Sequence, residues 1–267
     1  MTKGGTRLSG AWRGSSYRAH AAHHRRHDPA FLSEIGLGPG DRLLDVGCGD
    51  GAVAESLAAR FPGATVVGID SAPDMVRTAS QRSLPNLRFE FCRAQDIAFD
   101  DHFTVAISIA ALHWVPAADH PLLLARLLRA LRPGGRILAE FGGIGNVART
   151  LGLVTSIAGK PDFAGDLGGV GVPWYFPDPR DYRAMLAGAG FSVDTCELVT
   201  QQREFTEREF VGWLETQALL PWTARLDGAQ ATAFVHQVVS AASPAARDGD
   251  IYRETFTRVR VKATRRW

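Results

Sequence analysis

The sequence predicts an α/β fold built on a mostly parallel sheet, and three observations carry that prediction. From Arg42 to Phe141 short apolar runs alternate with amphipathic stretches, the pattern of a parallel sheet covered by helices. A glycine-rich turn, Gly47-Cys48-Gly49-Asp50-Gly51, falls between the first apolar run and the first amphipathic stretch. A carboxylate, Asp70, closes the second apolar run.

Taken in order, Arg42–Val46 reads as the first strand and Ala52–Arg60 as the helix after it. Thr65–Ile69 is the second strand, followed by a helix at 73–81 with Pro73 at its start, where a missing N–H costs nothing. Leu87–Phe91 and Phe103–Ile109 are strands three and four, and a long helix follows at 121–131. Pro133-Gly134-Gly135 stops that helix, and 136–141 forms strand five. Residues 142–180 are rich in Gly and Pro, with a helix at 146–158 and an aromatic cluster at 174–176. A helix over Pro179–Ala189, ended by Gly190, leads to a strand at 191–199. Helical stretches at 207–219 and 229–242 come next. The last strand, at 251–263, is rich in Arg and Thr, which predicts an exposed antiparallel edge. The sum is a Rossmann-like seven-stranded sheet with helices on both faces and a helical cap. The predicted organisation is an N-terminal arm and lid helix at 1–40, a cofactor-binding core at 41–141, and the rest of the sheet with substrate-cap inserts at 142–267, one structural domain overall.

Composition narrows the function. The chain has 267 residues, 45% hydrophobic and 22% charged, the balance of an ordinary globular protein. No window approaches the roughly 20 apolar residues of a membrane span, and no apolar core follows the first residues, so a cytoplasmic location is expected. A net charge of +2 is too small to suggest a nucleic-acid partner, and the basic run 258–266 reads as a solvated strand face. Cys48, Cys92 and Cys196 show no zinc spacing and read as reduced small hydrophobes. No metal is expected. The expected partner is a small-molecule substrate, with no nucleic acid, no membrane, and a homodimer left open.

The strongest signal is Leu44-Asp45-Val46-Gly47-Cys48-Gly49-Asp50-Gly51. Alternate glycines let the backbone turn tightly and approach a ligand without a Cβ in the way. By itself such a turn is as consistent with an ordinary βα connection as with a nucleotide site. Asp70 changes the balance, because it places a carboxylate beside the same crevice, where it can accept two hydrogen bonds from a ribose diol. A dinucleotide fingerprint is G-x-G-x-x-G, whereas this chain has G-x-G-x-G preceded by Asp45. An anion there repels a pyrophosphate and attracts an ammonium group, which favours S-adenosylmethionine over NAD.

LLDVGCGDG, GIDSAPDMV, AALHWVP and LRPGGRIL, in that order, resemble the class I methyltransferase family, and most nearly its trans-aconitate methyltransferase-like branch. The resemblance covers 40–141 well and 173–200 weakly. It implies an S-adenosylmethionine-dependent methyltransferase in which Asp45, Gly47 and Gly49 hold the methionine part, Asp70 holds the ribose, and Cys48 belongs to the same cofactor-binding loop. Ser71 and Met75 flank the adenosine, with Gln95, Asp96 and Ala110 completing the cofactor set. One departure is Arg93, which stands where the family often has an acid for the adenine amine, so that contact moves to Gln95 or to backbone groups.

Methyl transfer needs a nucleophile aligned with the methyl group, exclusion of water, and removal of a proton if the nucleophile carries one. His113 and Trp114 follow strand four and Glu140 lies at the end of strand five, the positions where open α/β sheets bind ligands. His113 is a general base, a donor fixing a substrate oxygen, or a structural histidine. Glu140 is a base or a hydrogen-bonding scaffold. Trp114, Trp174, Tyr175 and Phe176 either line the substrate pocket or pack locally. The arm segment carries His20, His23, His24, Arg25, Arg26 and His27, with the histidines along one face if helical. It is a polar surface, a metal site lacking further ligands, or a lid in which His24 acts catalytically and His20, His23, Arg25 and His27 hold an anionic substrate. The expected acceptor is a small, anionic metabolite, methylated at O, or else at N or C. A protein or RNA acceptor is the alternative, disfavoured by Ile109-Ala110-Ala111-Leu112 where an Asn/Asp-Pro-Pro-Tyr motif would stand, and an NAD-dependent oxidoreductase is a weaker one.

Overall fold

The computed structural model describes residues 12–14, 18, 29–248 and 251–266. In chain order its main elements are β1 (Arg42–Val46), α1 (Ala52–Arg60), β2 (Thr65–Asp70), α2 (Pro73–Ala79), β3 (Leu87–Phe91), β4 (Phe103–Ile109), α3 (His120–Ala130) and β5 (Leu131–Gly142). They continue with α4 (Ala148–Ala158), α5 (Pro161–Leu167), α6 (Pro179–Ala189), β6 (Phe191–Thr206), α7 (Glu207–Trp213), α8 (Gly228–Ala246) and β7 (Ile251–Arg265). The sheet order is β3-β2-β1-β4-β5-β7-β6, with a two-residue strand, Arg247–Asp248, paired to β7 off this path. Strands β1 to β5 pair in parallel, and β7 runs antiparallel to β5. The predicted Rossmann-like arrangement is therefore present. Among the described residues no helix is long and apolar enough to cross a membrane.

The chain divides into two compact units. The larger comprises Glu34–Ile144, Trp174–Val199 and Thr257–Trp267 and contains the glycine-rich turn. Its central strands are apolar throughout because helices cover both of their faces. Leu44, Val46, Val67, Ile69 and Ala106 pack with Leu123, Leu124 and Leu127 of α3 and with Leu186 of α6 into one buried cluster. Gly190, at φ 110, ends α6 in the left-handed conformation that glycine adopts without steric cost. Between Arg132 and Gly135 the β4/β5 register slips, so the predicted stop is a bulge inside β5.

The smaller unit comprises Gly145–Pro173 and Thr200–Phe256 with N-terminal residues up to Ser33. Phe205, Phe210, Trp213, Tyr252 and Phe256 form an aromatic nucleus there, and the buried Arg203 guanidinium lies 4.4 Å from the Phe256 ring centroid. Thr206 and Glu209 close a capping box at the start of α7, and a π-helical turn, Leu214–Ala218, interrupts the predicted 207–219 helix. Helix α5 was not anticipated, because Pro161 and two glycines nearby read as loop.

Two expectations are overturned. β7 is not an edge strand, since it lies between β5 and β6. Nor is the basic run a solvated face. Arg258 is buried at 5% exposure, Arg260 pairs with Glu140, Lys262 with Glu34, and Arg265 with Asp101. A strand rich in arginine looks solvent-facing in sequence because the acids that neutralise it lie far away in the chain.

Candidate functional site

The turn after β1 is held against the end of β2. The amides of Gly47 and Cys48 both donate to the Ile69 carbonyl, at 2.8 and 3.0 Å. Gly49 N–H donates to Asp70 Oδ2 at 2.9 Å, and Ala72 N–H donates to Oδ1 at 2.8 Å. Asp70 thus pins both its own loop and the glycine-rich one, with the Ser71 amide as a further partner, and its carboxylate keeps acceptor capacity for a ligand. Gly47, at φ 74, faces the loop after β4 so closely that a Cβ there would overlap the Ala111 Cβ. Asp50 is structural: Arg82 donates to its carboxylate at 3.0 Å and to its carbonyl at 2.7 Å.

Asp45 lies beneath this turn at 2% exposure, and its Oδ2 has no hydrogen-bond partner. Burial, and secondarily the nearby Asp70 charge, push its carboxyl up to about 7. Burial raises Asp70 as well, against the opposing effect of its backbone hydrogen bonds. Two desolvated carboxylates at the mouth of one loop make a site suited to a cation. Cys48 is buried between them, and burial raises its thiol far above the ordinary range. Met75 is buried in α2, and Ser71 is exposed at the tip of β2.

After β3, Arg93 is engaged by Asp96, with Nε and Nη2 donating to the carboxylate at 2.6 and 3.1 Å. Gln95 Nε2 donates to Asp119 Oδ2 at 3.2 Å, which leaves its carbonyl oxygen for another partner. The residue in the acid's usual place is therefore neutralised locally, and the Gln95–Asp119 pair is the polar feature beside it.

The tip of β4 carries an unusual backbone. Ala110 adopts φ 54, and its N–H donates to the Glu140 carbonyl at 2.7 Å. A non-glycine residue in this region stores strain, and such strain gathers where a chain must turn sharply to present a site. The short helix Leu112–Trp114 follows. Gly142 N–H donates to His113 Nδ1 at 3.2 Å, and Tyr175 N–H donates to the His113 carbonyl at 3.0 Å. The His113 ring sits 5.7 Å from that of Trp114 and 5.8 Å from that of Phe176. Trp174 meets Trp114 edge-to-face at 5.3 Å. Burial, with the Arg258 charge adding to it, lowers His113 to about 3, so its ring is neutral. Behind it, His120 is fully buried against the Tyr182 hydroxyl at 3.2 Å and is likewise lowered, to about 4, by burial.

Glu140 is buried at 5% exposure and accepts two hydrogen bonds from Arg260, at 3.0 and 2.7 Å. Arg258 Nη1 lies 3.7 Å from its other oxygen. A carboxylate fixed by one guanidinium and faced by a second has the geometry of a scaffold.

The larger unit therefore brings together Asp45, Gly47, Cys48, Gly49 and Asp70 at one loop, and Ala110, His113, Trp114, Glu140, Trp174 and Tyr175 at the next. His20, His23, His24, Arg25 and His27 lie outside the described residues. Among the described residues no group of three or more His, Cys, Asp or Glu side chains could hold a metal ion. Gly142 and Arg258 were missed. Antiparallel pairing of Gly142 with Arg258 brings that arginine to the site, and nothing local in the sequence announces it.

Comparison with known proteins places these features in a family. Residues 43–135 match the model of a methyltransferase domain. The chain is 36% identical over 236 residues to trans-aconitate 2-methyltransferase of Deinococcus radiodurans, covering 85% of this chain and 88% of that protein. It is 31% identical over 212 residues to an uncharacterised methyltransferase of Schizosaccharomyces pombe, covering 78% and 80%. Among solved structures it superposes on Haemonchus contortus phosphoethanolamine N-methyltransferase 2 in complex with S-adenosyl-L-methionine, with a TM-score of 0.56 at 21% identity, over 91% of this chain and 53% of that one.

Proposed function

The chain belongs to the class I S-adenosylmethionine-dependent methyltransferases, in the branch that contains the trans-aconitate 2-methyltransferases, and from that premise we propose that it is a cytoplasmic enzyme methylating a carboxylate oxygen of a small, polyanionic metabolite. The cofactor fits the residues present. Asp45 Oδ2 is a buried oxygen without a partner, and an ammonium group supplies the one it lacks. Asp70 has lone pairs left for a ribose diol, and Gln95 and Asp119 offer the adenine edge an acceptor each. When bound, S-adenosylmethionine supplies an electrophilic methyl group on a sulfonium.

The observation that carries the acceptor assignment is the state of Glu140. Its carboxylate is fixed by Arg260 and faced by Arg258, beside a histidine held neutral. The site thus offers a neutral hydrogen-bond donor, and its carboxylate is committed to arginines. A carboxylate acceptor needs this arrangement, being a nucleophile already in its ionised state, whereas a hydroxyl acceptor needs a base. Trp114, Trp174 and Phe176 give the donor an apolar surround that excludes water and strengthens its hydrogen bond.

The test is incubation with methyl-labelled S-adenosylmethionine and trans-aconitate, alongside citrate, an alcohol that carries no carboxyl group, and an amine, with proton release followed by indicator. Carboxylate methylation gives a base-labile methyl ester and no net proton. Label in an ether or amine, with one proton released per turnover, would refute the assignment.

A further inference from the structure

We infer that His113 is a neutral hydrogen-bond donor, fixed in one tautomer by the backbone of β5, which holds the substrate carboxylate through Nε2–H and takes no part in proton transfer. This rests on the carboxylate reading above and assigns the residue that enforces it.

The argument begins with a donor that cannot change its role. Gly142 N–H points at Nδ1 from 3.2 Å, and a backbone amide only donates. Nδ1 is therefore the accepting nitrogen, and in a neutral ring the proton sits on Nε2. The ring cannot rotate freely to reverse this. Its own carbonyl is held by Tyr175 N–H at 3.0 Å, and it packs against Phe176 and Trp114. Among the described residues, Arg258 on β7 and His120 on α3 face it; Glu140 on β5, held by Arg260, faces Arg258, and the Tyr175 and Tyr182 phenols pack on His120. Arg258 opposes a second positive charge on the ring, His120 is itself neutral, and burial disfavours the imidazolium in the same direction.

The chemistry fits a donor better than a base. A carboxylate lone pair forms the new O–C bond, the C–S bond breaks with its pair staying on sulfur, and anion plus sulfonium become a neutral ester and a thioether. No proton leaves, so a base has nothing to accept. The carboxylate loses its charge along the way, and a cation hydrogen-bonded to it would hold the ground state more tightly than the transition state. A neutral donor fixes the geometry with less of that penalty.

Two measurements test this. In 15N NMR of the protein alone, His113 should show a protonated Nε2 and a bare Nδ1, with no titration between pH 5 and 8. With trans-aconitate as the probe, H113A should raise KM about 10- to 100-fold, the loss of a hydrogen bond to a charged group, while kcat stays within about threefold, since the contact is made in the ground state. H113Q, which can place an amide N–H near Nε2 but cannot act as a base, should recover most of the KM. Adenosylhomocysteine affinity should be unchanged in both variants, which establishes that they fold. An Nδ1–H tautomer, an imidazolium forming at pH 6 or above, or a kcat collapse shared by H113A and H113Q would overturn the inference. If the wild-type protein methylates none of the acids, the substrate reading fails, and the spectrum of the protein alone still decides the state of His113.

Discussion

Replacing Asp45 with Asn should make the unliganded protein more stable and the cofactor bind more weakly, both at neutral pH and above. Asp45 is buried, its Oδ2 is unpartnered, and its carboxyl is carried from an ordinary 3.8 to about 7, chiefly by desolvation and then by the Asp70 charge. The folded state therefore holds a proton that the unfolded chain releases between those two values. Stability is greatest below the unfolded pKa and falls as pH rises through the folded one. At about 1.36 kcal/mol per tenfold change in proton affinity, the ionised carboxylate costs the empty protein on the order of 4 kcal/mol at pH 8. D45N removes that cost, less the penalty of its own buried amide, so its melting temperature should rise by several degrees at pH 8 and little at pH 5. An ammonium opposite Asp45 favours the ionised form, so ligand binding expels the proton. Adenosylhomocysteine affinity should increase toward tenfold per pH unit between about 5 and 7 and then level off, whereas in D45N it should be flat and, at pH 8, about 10- to 150-fold weaker, as for loss of a charge-assisted hydrogen bond. Titration calorimetry in two buffers of different ionisation enthalpy measures the proton directly. A D45N protein with wild-type affinity and the wild-type pH slope would show that the buried carboxylate does not face the cofactor.

Gly47→Ala combines φ 74 with a Cβ that overlaps Ala111; the left-handed conformation alone costs about 1–2 kcal/mol, so adenosylhomocysteine binding, followed by calorimetry, should be lost or weakened at least 10-fold. Gly51→Ala meets Phe89 at 2.6 Å instead, away from Ala111, and should lower the melting temperature with a smaller effect on affinity. Glu140→Gln leaves Arg260 and the buried Arg258 without their shared carboxylate, a change that costs about 3–5 kcal/mol for a fully buried pair and less here, because Arg260 is 19% exposed. It should show as a lowered denaturation midpoint, and an unchanged midpoint would mean that the cluster contributes no stability.

The alternation of apolar runs and amphipathic stretches, the glycine-rich turn and the carboxylate closing β2 were legible in the sequence because each is a local pattern: side-chain period, turn chemistry and helix-stop residues act within a few positions of one another. Gly190 at the end of α6 and Pro73 at the start of α2 belong to the same class. Local pattern could not place β7. Its basic residues read as solvent-facing, yet the strand lies inside the sheet, where Glu140, Glu34 and Asp101, all distant in the chain, neutralise Arg260, Lys262 and Arg265. The same holds at the site. The sequence by itself named His113 and Glu140 as candidates and left base, donor and scaffold open for the one, base and scaffold for the other. Tertiary structure decided which atoms they have free, because Gly142 N–H occupies Nδ1 of the histidine and Arg260 occupies the carboxylate, and both contacts come from strand pairing across residues that no local spacing connects.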